Sequence, residues 1–204
     1  MVVNTIDRYR ILQYNGWRWR QELCLTKKIT LALAMACAVG LVGQVRVLLP
    51  WTPVPITGQT FAVLIAGVLL GQWWGGISLA IYTGLGIAGV PWFTGWMGGV
   101  GQIAGPTGGY IIGFILAALF LGHCIDKYVR ARTFHGLLGL MFFADIVLIF
   151  IPGLLQLHLW SSLLGQGRFT FPQLLTIGLT PFIAGEVAKV VTAAIVTWAL
   201  VPKR

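Results

Sequence analysis

Residues 181–201 read Pro-Phe-Ile-Ala-Gly-Glu-Val-Ala-Lys-Val-Val-Thr-Ala-Ala-Ile-Val-Thr-Trp-Ala-Leu-Val. Apart from Glu186 and Lys189 the run carries no charge. As a helix it would measure about 30 Å, the thickness of the hydrocarbon core of a bilayer. Glu186 and Lys189 stand three residues apart, so they share one face of that helix. An acid and a base inside a lipid-crossing segment are costly. They mark either a ligand site or an ion pair that ties helices together. Thr180-Pro181 reads as an N-cap followed by proline in the first helical position.

The rest of the chain has the same character. Of 204 residues, 57% are hydrophobic and 9% charged, with mean hydropathy +0.86. A soluble domain carries about 25% charged residues. The expected class is an all-α, polytopic membrane protein. The formal charge of +9 sits on residues that flank apolar runs, which membrane topology explains better than nucleic-acid binding. Cys24, Cys37 and Cys124 show no paired spacing, and His123, His135 and His158 are scattered. Neither a disulfide framework nor a metal site is expected.

Hydropathy places six spans, at about 29–49, 60–71, 75–90, 108–125, 137–159 and 181–201, with 165–171 as a loop and 174–179 as a re-entrant segment. Six spans put both termini on one side. Arg8, Arg10, Arg18, Arg20, Lys27 and Lys28 then share a face with Lys127, Arg130, Arg132, Lys203 and Arg204, while Arg168 stands alone opposite. The excess of basic residues makes the first face cytoplasmic. Residues 1–26 form a basic, aromatic arm and 27–204 the transmembrane domain. The arm lacks the short apolar core of a cleavable signal peptide. It suits either an interfacial segment on anionic lipid or a disordered tail.

Depth sorts the charges within spans. Arg46, near the end of the first span, and Glu186 and Lys189, near the start of the last, fall toward the outer face. Asp145 falls nearer the cytoplasmic end of the fifth span. It is expected to pair with His123 or another inner group in a structural role. Two outer loops are rich in Gly and Pro. The first runs Thr52-Pro-Val-Pro-Ile-Thr57-Gly-Gln59, and the second contains Gly89-Val-Pro-Trp92-Phe93-Thr-Gly-Trp-Met. Loops without charge that fold back at a membrane surface must pair their backbone groups within protein or line a cavity. Trp92, Phe93 and Tyr110 would supply apolar walls, and Thr57 and Gln59 polar groups, for a small-molecule pocket.

Thr-Pro-Val-Pro-Ile-Thr at 52–57 with Gln59, Gly89-Val-Pro-Trp-Phe at 89–93, and Gly105-Pro-Thr-Gly-Gly-Tyr at 105–110 strongly resemble the biotin-transporter BioY family. Its members are substrate-binding S components of energy-coupling factor (ECF) transporters. The resemblance runs from about residue 28 to 201, with the arm outside it. It implies six transmembrane helices with the outer loops over the pocket. In the last helix the family commonly has Asp where this chain has Glu186, so the reach of the carboxylate differs. The ligand it implies is biotin, with no cofactor. Glu186 would accept the urea N–H groups and a cation would meet the valerate. Lys189 and Arg46 are both candidates for that cation, and Tyr82 is a candidate for the pocket floor.

Ala32, Ala36 and Gly40 form a small-residue stripe on the first span, suited to close helix approach. By resemblance it is a surface for docking a transmembrane coupling protein, with packing inside the chain as the alternative. There is no phosphate-binding loop. ATP hydrolysis therefore falls to partners, implied to be the coupling protein and two ATP-binding subunits. An S component for another small acid, or a stand-alone transporter, is the alternative. Serines without a motif give little support to an intramembrane enzyme. The expected location is the cell membrane, with both termini cytoplasmic.

Overall fold

The structure is a computed structural model and describes residues 5–163 and 169–202. Arg168, Lys203, Arg204 and most of the expected 165–171 loop lie outside the described residues. The chain folds as helices α1 (Thr5–Glu22), α2 (Leu25–Val42), α3 (Gln59–Leu70), α4 (Gln72–Ile87), α5 (Val100–Ala104), α6 (Gly108–Lys127), α7 (Phe134–Phe143), α8 (Phe150–Leu163), α9 (Phe171–Gly178) and α10 (Ile183–Leu200). A π-helical turn over Ala144–Ile149 joins α7 to α8, and a two-residue pair, β1 (Arg46–Val47) with β2 (Ile56–Thr57), bridges α2 and α3. Among the described residues, four stretches are long and apolar enough to cross a membrane: α2, α6, the continuous run Phe134–Leu163, and α10. The fold is thus all-α and multi-pass.

α6 is the central post. Of its apolar window 67% is buried, against 22% for α2 and 28% for α10. It packs against α3, α4 and α8, and glycine permits the approach to the last. A Cβ on Gly109 would run into the Pro152 carbonyl of α8, and one on Gly113 into the Leu148 carbonyl of the π turn before it. The π turn has a covalent cause. Pro152 has no N–H to give the Leu148 carbonyl and its ring crowds that oxygen. The helix widens just before it, and the Phe150 N–H reaches the Asp145 carbonyl five residues back. Outward residues such as Leu41, Ile112, Leu155 and Ile195 are exposed. An apolar outer surface of this kind is what lipid contact requires.

The arm is helical and docked. On α1, Gln13 donates to the Ala199 carbonyl at 2.7 Å and Tyr9 also donates to it. Arg20 pairs with Asp126 at 2.5 Å, and the Arg20 and Arg132 guanidinium groups both lie over the Trp17 ring, at 3.8 and 4.6 Å from its centroid. Three expected boundaries are corrected. α2 ends at Val42, so Arg46 lies outside the helix on an exposed strand. The cause is Gln44, whose side chain binds the Gly40, Trp92 and Phe93 carbonyls and draws the chain toward the second loop. Residues 171–178, expected to be re-entrant from 174, form α9 with Thr170 and Gln173 as a capping box. Thr180 does not cap α10. Its amide and hydroxyl both donate to the Leu175 carbonyl, closing α9 instead, and α10 starts at Ile183.

Candidate functional site

The cavity lies where the α2–α3 and α4–α6 connections meet the ends of α3, α6 and α10. Its volume is about 200 Å³. Of the nine residues expected at a ligand site, seven line it: Arg46, Thr57, Gln59, Tyr82, Phe93, Tyr110 and Glu186. Trp92 and Lys189 do not.

Glu186 is buried in the first turn of α10. One carboxylate oxygen receives Lys189 Nζ at 2.5 Å and the other receives the Thr60 hydroxyl at 2.7 Å. Lys189 also donates to the Thr57 carbonyl at 2.8 Å. Its ammonium therefore joins α10 to β2, and the i,i+3 spacing that made the pair visible also turns Lys189 toward the protein. Each carboxylate oxygen has two acceptor positions, so Glu186 keeps acceptor capacity facing the cavity. Arg46 is the other cation of the region and does line the cavity. No ion pair or hydrogen bond engages its guanidinium among the described residues. Its guanidinium lies over Gly95, against the position a Cβ would take there. Gly95 has φ +81°, so its backbone conformation favours glycine there.

The polar floor is a chain. The Gln59 amide donates to Tyr82 Oη at 2.5 Å and accepts from the Thr94 hydroxyl at 3.2 Å. Tyr82 is fully buried, with its ring edge-on to Phe93 at 5.3 Å and stacked on Trp92 at 5.6 Å. Trp92 is a backing residue: its indole N–H donates to the Tyr82 carbonyl at 2.9 Å. On the opposite wall Tyr110, Phe150 and Phe182 form a run of rings 5.5 and 6.0 Å apart, and Tyr110 Oη donates to the Gly178 carbonyl.

Several contributors were not singled out from sequence. Thr60 has no motif beyond following Gln59. Gln44 holds the second loop, accepting from the Gly95 and Trp96 amides at 3.1 and 2.9 Å. Trp96 has φ +59°, a costly conformation for a bulky residue that these bonds sustain. Phe150 reads only as a generic apolar residue, and Phe182 only as part of the Pro181-Phe182 start of the last span.

Two expectations are corrected. Ala32, Ala36 and Gly40 are enclosed by the bundle. α2 packs on α4, and a Cβ at Gly40 would meet Trp92 Cβ at 2.9 Å. Close approach is used within the chain, and the stripe presents no outer surface. Asp145 is fully buried and its carboxylate oxygens have no hydrogen-bond partner among the described residues. It does not pair with His123. Glu186 and Lys189 lie within electrostatic reach of it.

A family model, described as the BioY family, matches residues 13–203. The match enters the arm, further than the resemblance suggested. The chain is 52% identical over 139 residues to a probable biotin transporter BioY of Methanothermobacter thermautotrophicus, covering 68% of this chain and 88% of that one. It is 34% identical over 171 residues to a probable biotin transporter BioY of Pyrococcus horikoshii, covering 83% and 93%. The crystal structure of the S-component for biotin from an ECF-type ABC transporter superposes with TM-score 0.75 at 25% identity, over 86% of this chain and 90% of that one.

Proposed function

This chain belongs to the BioY family, and we propose that the cavity bounded by Glu186 and Arg46 is its biotin site. The chain is a transport protein, the substrate-binding membrane component for biotin uptake within an ECF-type transporter. We assign six crossings, by α2, α3, α4, α6, α7–α8 and α10. α3 and α4 are the short ones, at 12 and 16 residues. The basic residues on the arm, the α6–α7 connection and the C-terminus put both termini in the cytoplasm. The cavity then opens outward, with residues 50–58 and 91–107 over it.

The observation that carries the site is the division of labour between the two cations. Lys189 is used in balancing Glu186, whereas Arg46 is unpaired among the described residues and lines the cavity. Biotin has two urea N–H donors, a urea oxygen, an apolar ring and a carboxylate tail. Glu186 is the acceptor for the urea N–H groups. Its pairing with Lys189 and the Thr60 hydroxyl fixes the carboxylate in place and compensates its burial. The Gln59–Tyr82–Thr94 group faces the urea oxygen. Phe93, Tyr110 and Phe182 bury the ring system, and Arg46, nearest water, meets the valerate as a charge-assisted contact. The specific loss that excludes competitors is the desolvation of Glu186 against a ligand lacking urea donors.

Uptake against a gradient needs energy that this chain does not supply. We assign ATP hydrolysis to two ATP-binding subunits acting through a transmembrane coupling protein. Equilibrium binding of radiolabelled biotin to the detergent-purified chain tests the site directly. Saturable binding at one site per chain is expected without any partner. A folded, monodisperse protein that fails to bind biotin would remove the reading.

A further inference from the structure

A second cavity, of about 250 Å³, lies at the other end of the bundle, between α1, the start of α2 and the tight α3–α4 turn. Arg20, Lys28, Gln72, Trp73, Trp74 and Asp126 are among the residues that line it. Asp126 is the carboxylate there, and it is already engaged: it pairs with Arg20 at 2.5 Å and accepts the Gln72 amide at 3.1 Å. Lys28 has no ion pair or side-chain hydrogen bond among the described residues. The cavity therefore has a net positive lining with one uncommitted ammonium. Its surroundings change sharply along the bundle. On the bilayer side of Lys28, α2 exposes Ile29 and Leu33, and on α4 Ile77, about one turn beyond the cleft residue Trp73, is exposed. A cationic cleft with exposed apolar helix faces beyond it matches a molecule with an anionic head and hydrocarbon tails.

We propose that this cleft binds the phosphate head of an anionic phospholipid, with its acyl chains along the outer faces of α2 and α4. The inference rests on the orientation given above, which places the cleft at the cytoplasmic leaflet, and is independent of the biotin site. Lys28 contacts the phosphate. Arg20, held by Asp126, adds its field, and the Trp73 and Trp74 rings sit at the headgroup boundary, where such side chains are favoured. A lipid here would lock α1 onto the bundle at the point where Arg20 already ties it to α6.

The test is native mass spectrometry of the full-length protein in detergent with equal amounts of phosphatidylglycerol and phosphatidylcholine. Phosphatidylglycerol adducts should dominate. Lys28→Gln should lower their share about fivefold, one basic residue's portion of attraction to an anionic surface. Lys27→Gln, whose side chain lies outside the cleft, should not. Millimolar inorganic phosphate should fail to displace the lipid; displacement would mean a free-phosphate site and overturn the lipid assignment. Equal occupancy by the two lipids, or a Lys28→Gln protein that retains wild-type preference, would also overturn it. Biotin binding, measured on the same samples, should be unchanged in Lys28→Gln. That control reports folding and separates failure of this inference from failure of the biotin reading.

Discussion

Lys189 Nζ lies 2.5 Å from a Glu186 oxygen, yet only Glu186 faces the cavity. The lysine is the counter-charge of a buried carboxylate, and its second bond, to the Thr57 carbonyl, fixes the loop that frames the cavity mouth. Removing a partner from such a pair leaves an uncompensated charge, which is worse than removing both.

Lys189→Ala is therefore expected to weaken biotin binding by a few kcal/mol, about 100-fold or more, through loss of the partner that compensates and positions Glu186 and of the Thr57 tether. Glu186→Gln should cost about 1.5–3 kcal/mol of biotin affinity by weakening acceptance of the urea N–H groups. The double variant Glu186→Gln/Lys189→Met should be more thermally stable than Lys189→Ala alone while binding biotin poorly. Titration calorimetry and melting of the purified variants check this. Wild-type affinity in Lys189→Ala would detach the pair from the ligand.

Arg46 separates the valerate from the rest of the ligand. Arg46→Ala should lower biotin affinity about tenfold, a modest loss because the guanidinium is open to water. The same substitution should leave the affinity for biotin amide, which lacks the carboxylate charge, nearly unchanged. If biotin and its amide lose affinity equally in the variant, Arg46 supports the loop rather than the ligand charge.

How much of this was legible in the residues follows from which forces are local. Hydropathy located α3, α4 and α6 within a few residues, because burial in lipid needs a continuous apolar run. The Glu186–Lys189 pair was visible because i,i+3 geometry is fixed by the helix itself. What sequence could not divide was Lys189 from Arg46, since that depends on Thr57 reaching α10 from β2. Gln44 and Thr60 were missed for the same reason: their partners lie in distant loops and helices. The Ala32–Ala36–Gly40 stripe announced close packing correctly but not its partner, which is Trp92 and α4 of the same chain.

That reassignment changes the outcome expected at Ala36. With no space around it, Ala36→Leu should overpack the α2–α4 contact and destabilise the protein by about 1–3 kcal/mol. Biotin binding should fall with stability, because α2 carries the Gln44 that holds the second loop. A stable Ala36→Leu protein with normal biotin affinity but lost uptake would return the stripe to the role of a partner surface.

Topology and lid are tested together by cysteine labelling in a chain whose Cys24, Cys37 and Cys124 are replaced by serine. Trp96 and Met97 are exposed on the second loop, and Met97 lines the cavity. Arg130 is exposed on the connection between α6 and α7. Trp96→Cys and Met97→Cys should react with a membrane-impermeant maleimide added to intact cells, and Arg130→Cys only after the membrane is opened. Saturating biotin should slow labelling at Met97→Cys more than at Trp96→Cys, since only the former faces the ligand space. Reaction of Arg130→Cys from outside would reverse the orientation, whereas correct sidedness without biotin protection would leave the fold intact and count against the 91–107 segment as the cover.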